Sequence, residues 1–302
     1  MIIPPSIKPG SKIRIISPAG KIKKEYVEPA IEWLRTQGYK VETGTHVFAQ
    51  HFQFAGTDEQ RLNDLQTALD DPECNAIICS RGGYGTVRLV DKLDFTCFRK
   101  NPKWLVGFSD ITVLHSCLNL QKIATIHGVM PRYFFEGNRN ESGSLLSMMH
   151  LITGSKVTYK LKNTESNRPG YANAELTGGN LSILASLQGS RYDISTDRKI
   201  LFIEEIDEYL YHIDRMIHQL KLGGKLKNLA GLIIGDFSNI KDNDSPFGQT
   251  IEEIIREAVE DYDYPVCFGF PAGHERTNRA LMFGQKWELQ VGQQQTTLEI
   301  KY

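Results

Sequence analysis

Paired cysteines of the kind that hold a metal or a redox disulfide are missing from this chain. Its five cysteines, at 74, 79, 97, 117 and 267, are an odd number with no C-x-x-C spacing among them. Reduced thiols in a cytoplasmic protein are therefore expected. Cys79, Cys97 and Cys117 lie in or beside apolar runs, where a free thiol behaves as a small hydrophobe. The eight histidines are scattered and no H-E-x-x-H occurs. His212 and His218, six apart, fall on different faces of a helix, so no metal site is expected. No apolar run approaches the ~20 residues of a membrane helix. The N-terminal MIIPPSIKPGSKIRI has tandem prolines and no apolar core before a cleavage site, so it does not have the pattern of a signal peptide. An excess of one charge is also lacking: 35 Lys and Arg offset 36 Asp and Glu for a net charge of −1. That balance excludes the electrostatic footprint of a nucleic-acid or anionic-membrane partner. G-x-G-x-x-G and the Walker pattern are both absent, which argues against a nucleotide-dependent oxidoreductase. No internal repeat or low-complexity tract occurs.

What is present suits a soluble globular protein. Apolar residues make up 40% and charged residues 24% of 302 positions, enough for two domains or one large one. Strand and helix patterns alternate along the first half. Strands are expected at 12–16, 39–42, 76–79, 104–108 and 123–126, and helices at 26–37, 57–69, 86–93 and from 111 onward. Thr57 and Gln60 have the spacing of a capping box. This alternation predicts a mostly parallel sheet covered on both faces, with ligands beyond the carboxyl ends of its strands. Residues 136–175 turn rich in Asn, Ser, Gly and Lys, apart from a short strand pattern at 157–161, and a domain boundary is expected there. Beyond it, strands are predicted at 200–203, 229–234 and 265–269, helices at 181–187, 209–222 and 251–259, and β-structure in the tail 287–300. The organisation expected is 1–135 as an N-terminal domain, 136–175 as a linker region and 176–302 as a C-terminal domain.

Three turns share the productive edge of the first sheet: Ser17-Pro18-Ala19-Gly20, Ser80-Arg81-Gly82-Gly83-Tyr84-Gly85 and Gly107-Phe108-Ser109-Asp110. Ser109 stands where an apolar strand passes into a helix. There a hydroxyl would lie beside outward-pointing amides, as an acyl-transfer nucleophile requires; alternatively, Ser109 or Asp110 caps the helix. Ile111 closes the spacing where a G-x-S-x-G elbow has glycine. The Gly82-Gly83 turn is either a strand-to-helix turn needing positive φ or a second amide donor to an oxyanion. Two later strand ends carry Glu204 and His274, and Ser, Glu and His in that order suit a nucleophile, an orienting carboxylate and a base. Glu205, Asp207 and Glu208 compete for the carboxylate role. His127, at another strand end, competes for the base, although a structural role in its His-Gly turn is the better reading.

The series SRGGYG, GFSDIT, IHGVMP, LTGGNLSIL, LFIEEIDEYLYHIDRM and FPAGHE resembles the LD-carboxypeptidase family of serine peptidases. That family also includes the microcin C self-immunity peptidases, and the likeness spans nearly the whole chain. The resemblance implies an α/β fold with a Rossmann-like, parallel-sheet N-terminal domain and a smaller strand-rich α/β C-terminal domain. It implies Ser109 as nucleophile, Glu204 and His274 as its partners, and backbone amides of Asp110 and of Gly82 or Gly83 as the oxyanion hole. Arg81 and Asn180 are expected near substrate, with Arg81 the candidate for a terminal carboxylate. The implied substrate is a small peptide, a cytoplasmic murein tetrapeptide that loses its terminal D-alanine. No cofactor, metal, nucleic acid or membrane is implied, and a homodimer is. The nearest alternative is an immunity peptidase acting on aminoacyl nucleotide analogues. Such an enzyme needs an aromatic clamp for the base, and residues 163–175 offer only Tyr171. A catalytically inactive cell-wall peptide-binding protein is the alternative of another class, and the presence of all three triad residue types argues against it.

Overall fold

The structure, a computed structural model, describes residues 1–134 and 143–301. It divides into two compact units. The first comprises residues 1–155 with 279–282, and the second 156–278 with 283–302.

The first unit is built from β1 (Lys12–Ile16), α1 (Lys24–Thr36), β2 (Lys40–Thr43), α2 (Asp58–Asp70), β3 (Cys74–Cys79), α3 (Thr96–Lys100), β4 (Trp104–Gly107), α4 (Thr112–Leu120), β5 (Thr125–His127) and α5 (Ser144–Ile152). The strands β2, β1, β3, β4 and β5 lie side by side in that order, every adjacent pair parallel. β3 and β4 are buried almost throughout, as continuous apolar strands in a doubly covered sheet should be. The capping box of α2 forms as its spacing predicts: Thr57 accepts from Gln60 N and Gln60 returns a bond to Thr57 N. The helix expected over 86–93 does not form. Two short 3-10 turns, Thr86–Arg88 and Val90–Lys92, replace it, and the first amide, Thr86 N–H, is held by the Asp110 carboxylate.

The second unit holds β6 (Thr158–Lys162), β7 (Gly170–Asn180), α6 (Leu181–Leu187), β8 (Ile200–Ile206), α7 (Leu210–Leu222), β9 (Gly231–Ser238), α8 (Ile251–Ala258) and β10 (Val266–Cys267). Then β11 (Leu281–Phe283) joins the first sheet beside β5, while β12 (Lys286–Val291) and β13 (Gln295–Ile300) return to the second. The second sheet runs β10-β9-β8-β7-β12-β13-β6. It is parallel from β10 to β7 and antiparallel from β7 to β6. Its core gathers Leu201, Ile203, Leu232 and Ile234 from the strands against Ile213, Ile217, Ile254 and Ile255 from α7 and α8.

The region expected to be a linker differs from that reading. Residues 136–142 lie outside the described residues, but α5, β6 and half of β7 fall between 144 and 175. The units divide at 155/156, and the chain re-enters the first unit at 279–282, where Ala280 N donates to Ser147 Oγ at 2.9 Å. Among the described residues no helix is long and apolar enough to cross a membrane.

Candidate active site

The nucleophile candidate sits where β4 ends. Phe108 is extended, at φ −153°, and the next residue, Ser109, has φ +65°. That left-handed conformation costs a residue bearing a Cβ about 1–2 kcal/mol. Such strain is typical of a side chain lifted out of a strand-to-helix turn. Two contacts hold the turn from below. A Cβ on Gly107 would lie 2.9 Å from Ile111 Cγ1, so only glycine fits beneath the first turn. His115, fully buried on α4, bonds through Nε2 to the Gly107 carbonyl at 2.9 Å. Neither the short turn at Ser109–Ile111 nor α4 has a side-chain cap, so the capping alternative for Ser109 and Asp110 does not hold. The Asp110 carboxylate instead accepts Thr86 N (2.9 Å) and Thr86 Oγ1 (2.6 Å). Burial raises its pKa, and these bonds oppose the rise.

The glycine-rich turn lies directly against this serine. A Cβ on Gly82 would stand 2.9 Å from Ser109 Cβ, 3.0 Å from Ser109 Oγ and 3.3 Å from Asp110 N. The Gly82 carbonyl accepts the Gly20 N–H at 3.0 Å. In a trans peptide the carbonyl and the following N–H point opposite ways, so anchoring Gly82 O on the Ser17–Gly20 turn turns the Gly83 amide away from it. Arg81 is half-buried, its guanidinium donating from Nη1 to Lys21 O at 3.0 Å. Burial lowers its pKa. It therefore ties two of the three turns together. Arg61, fully buried and absent from the sequence-based selection, does the same. Its Nη1 donates to Pro18 O (2.6 Å) and Gly85 O (3.0 Å), and its charge lies 4.9 Å from the Phe54 ring centroid.

In the second unit Glu204 lies within β8 rather than after it, opposite Asn180 of β7. It is completely buried, and its Oε2 is 2.7 Å from His274 Nδ1. The competing acids are occupied elsewhere. Glu205 receives Ser182 N (2.7 Å), Ser182 Oγ (2.5 Å) and Asn180 Nδ2 (2.9 Å) at the start of α6; burial raises its pKa. Glu208 bonds His212, and Asp207 is exposed, with Lys241 at 4.0 Å. Asn180 thus caps α6, accepting Ile183 N, and braces Glu205. His127 is buried in the first unit, its ring 5.7 Å from that of Phe108. One further acid was not expected. Asp236, on β9, has its carboxyl pushed up to about 7 by burial, and Glu275, Glu204 and His274 also act on it. The apolar run Leu232-Ile233-Ile234 before it repeats the pattern that precedes Glu204, a signal available in the sequence.

Comparison with known proteins agrees over both units. Residues 13–128 match the LD-carboxypeptidase N-terminal domain, and residues 173–289 match the LD-carboxypeptidase C-terminal domain. A probable murein peptide carboxypeptidase of Bacillus subtilis is 33% identical over 299 residues, covering 98% of this chain and 94% of the relative. The crystal structure of a muramoyltetrapeptide carboxypeptidase from Oxalobacter formigenes superposes with TM-score 0.87 at 31% identity, covering 97% of this chain and 99% of that one. An MccF-like protein from Bacillus anthracis superposes with TM-score 0.83 at 25% identity, over 99% of both chains.

Proposed function

Because this chain belongs to the LD-carboxypeptidase family, we propose that it is a serine carboxypeptidase releasing the terminal D-alanine of a murein tetrapeptide. Ser109 is the nucleophile, His274 the base and Glu204 the carboxylate that orients it. The observation that carries this reading is the Glu204–His274 bond of 2.7 Å in a chain whose Ser109 is held at φ +65°. With Nδ1 engaged by the carboxylate, proton transfer falls to Nε2. His274 takes the Ser109 proton as Oγ attacks the carbonyl that joins an L-centre to D-alanine. The oxyanion rests on the amides of Asp110 and of the Gly82-Gly83 turn. His274 then protonates the leaving amine, and water releases the peptide from the acyl-enzyme by the same steps.

Arg81 and Asn180 complete the proposal on the substrate side, Arg81 facing the free carboxylate and Asn180 lining the pocket from its anchor on Glu205. The enzyme acts in the cytoplasm and as a homodimer. The microcin-type alternative has fold-level support, including the likeness to the MccF-like structure. Residues 163–175 offer a base clamp one aromatic, Tyr171, in β7 and 58% exposed, and this scarcity favours the peptide substrate.

The deciding experiment follows D-alanine release from L-Ala-γ-D-Glu-meso-diaminopimelyl-D-Ala, with Ser109→Ala as control. Release abolished by the substitution supports the reading. Release that survives it overturns the nucleophile, and no release with cleavage of aminoacyl-sulfamoyl adenosine moves the chain to the immunity branch.

A further inference from the structure

The chemistry above uses one carboxylate beside His274, yet the second unit supplies two. Glu204 and Asp236 lie on the neighbouring parallel strands β8 and β9, whose register slips between Ile203 and Glu205. Ile203 pairs with Ile234, but Glu205 pairs with Phe237. β8 advances two residues where β9 advances three, so β9 carries an extra residue opposite Glu204. Side chains of a regular strand alternate between faces. An inserted residue breaks the alternation and re-aims a side chain, a device common beside active sites.

The bulge consists of Gly235 and Asp236, and it is stitched to the turn that delivers His274. Asp236 N donates to Ala272 O at 2.9 Å. A Cβ on Gly235 would stand 2.4 Å from that same oxygen and 2.7 Å from the Phe202 ring, so the approach requires glycine. Gly273, immediately before His274, has φ +139°. A Cβ placed on it would lie 3.2 Å from Glu204 Oε2 and 3.3 Å from Asp236 Oδ2. The two carboxylates thus converge on one point and can be no further apart than the sum of those distances. The charged groups facing Asp236 are Glu204 from β8, and His274 and Glu275 from the turn. Its Oδ2 receives a long bond from Glu275 N, 3.4 Å.

We propose that Asp236 is a positioning residue for the base: a second carboxyl whose protonation state sets how firmly His274 holds its proton. The inference rests on His274 being the base of the reaction. Two carboxyl groups that approach one another disfavour double ionisation. Glu204 is the member bonded to His274 Nδ1. Asp236, raised to about 7 by burial first and by the neighbouring acids next, changes charge in the range where an imidazole titrates. Neutral Asp236 adds no charge beside the ring. Ionised Asp236 adds an anion, which stabilises the imidazolium and makes His274 a stronger base. The two groups then titrate as a coupled pair rather than independently.

The test is the titration of His274 by NMR in the full chain carrying labelled histidine and aspartate, with His274→Gln to assign the signal. In the wild type the Asp236 carboxyl carbon and the His274 ring shift together. In Asp236→Asn the His274 midpoint falls by half a pH unit or more, and its curve sharpens to a single site. The acidic limb of kcat/KM for D-alanine release moves down by the same amount with KM unchanged, and Asp236→Glu returns it toward the wild type. Superimposable His274 curves in wild type and Asp236→Asn overturn the inference, as does a wild-type Asp236 signal that titrates apart from His274. The NMR arm needs no activity, so failure of the peptidase reading at Ser109→Ala is distinguishable from failure here.

Discussion

Gly82 and Ser109 share a space with no room for one more carbon: a Cβ on Gly82 would stand 2.9 Å from Ser109 Cβ and 3.0 Å from its Oγ. Both are backbone-anchored, Gly82 by the Gly20 amide and Ser109 by a strained turn between β4 and α4. Neither can retreat without moving the proposed nucleophile or the proposed oxyanion amides.

Gly82→Ala should therefore act on catalysis more than on folding. The added methyl displaces Ser109 Oγ or turns the Gly83 amide, and losing one oxyanion donor alone costs about 100- to 1,000-fold in kcat. Gly82 is buried, so the displacement also costs some stability, but the urea midpoint should fall far less than kcat does. D-alanine release measured beside urea unfolding checks this. A variant with kcat within threefold of the wild type would show that the turn does not shape the oxyanion site.

The two adjacent acids of β8 should separate cleanly. Glu204 meets His274, whereas Glu205 is taken up by Ser182 and Asn180 at the start of α6. Glu204→Gln should lower kcat by about 10³-fold or more through loss of the imidazole's orientation while the protein still folds. Glu205→Gln leaves buried donors poorly matched, at about 2 kcal/mol for charge-assisted bonds of this kind. It should lower the urea midpoint, with a smaller effect on kcat. If the two variants exchange these behaviours, the acid assignment is reversed.

Ser109, Glu204 and His274 stand out as candidates because each comes after an apolar run, and the type of residue there is visible without coordinates. The bonds these residues make are not. No local pattern distinguishes Glu204 from Glu205, since alternate residues of a strand face opposite ways and the facing partners lie 70 and 25 residues distant. The helix expected over 86–93 failed for a similar reason. Its periodicity is helical, but the segment closes as two short 3-10 turns that meet at Leu89, and tertiary context overrides the local preference. The boundary region reads as a linker because its composition is polar, and the units do divide within it, but it also carries regular elements. β7 gains its place from pairing with β12, which comes more than a hundred residues later, and such context overrides local preference. The apolar run before Asp236 marks it in the sequence, but its placement beside Glu204 depends on a bulge that is a property of two strands together.

His115 should make the fold acid-sensitive in a defined window. It is fully buried on α4, bonded to the Gly107 carbonyl two residues before Ser109, and burial lowers its pKa from 6.5 to about 4. The unfolded chain therefore binds a proton that the folded chain refuses. The stabilisation is complete above about pH 6.5 and is lost as the pH falls toward 4. A shift of this size corresponds to roughly 3 kcal/mol across the window. Urea unfolding at pH 7.5 and pH 4.5 should show that loss in the wild type. In His115→Gln, where an amide can still donate to Gly107 O but cannot be protonated, the stability at pH 7.5 should be lower and the difference between the two pH values clearly smaller. An equal difference in both proteins would mean that other groups carry the acid sensitivity and that His115 takes up its proton without disturbing the turn beneath Ser109.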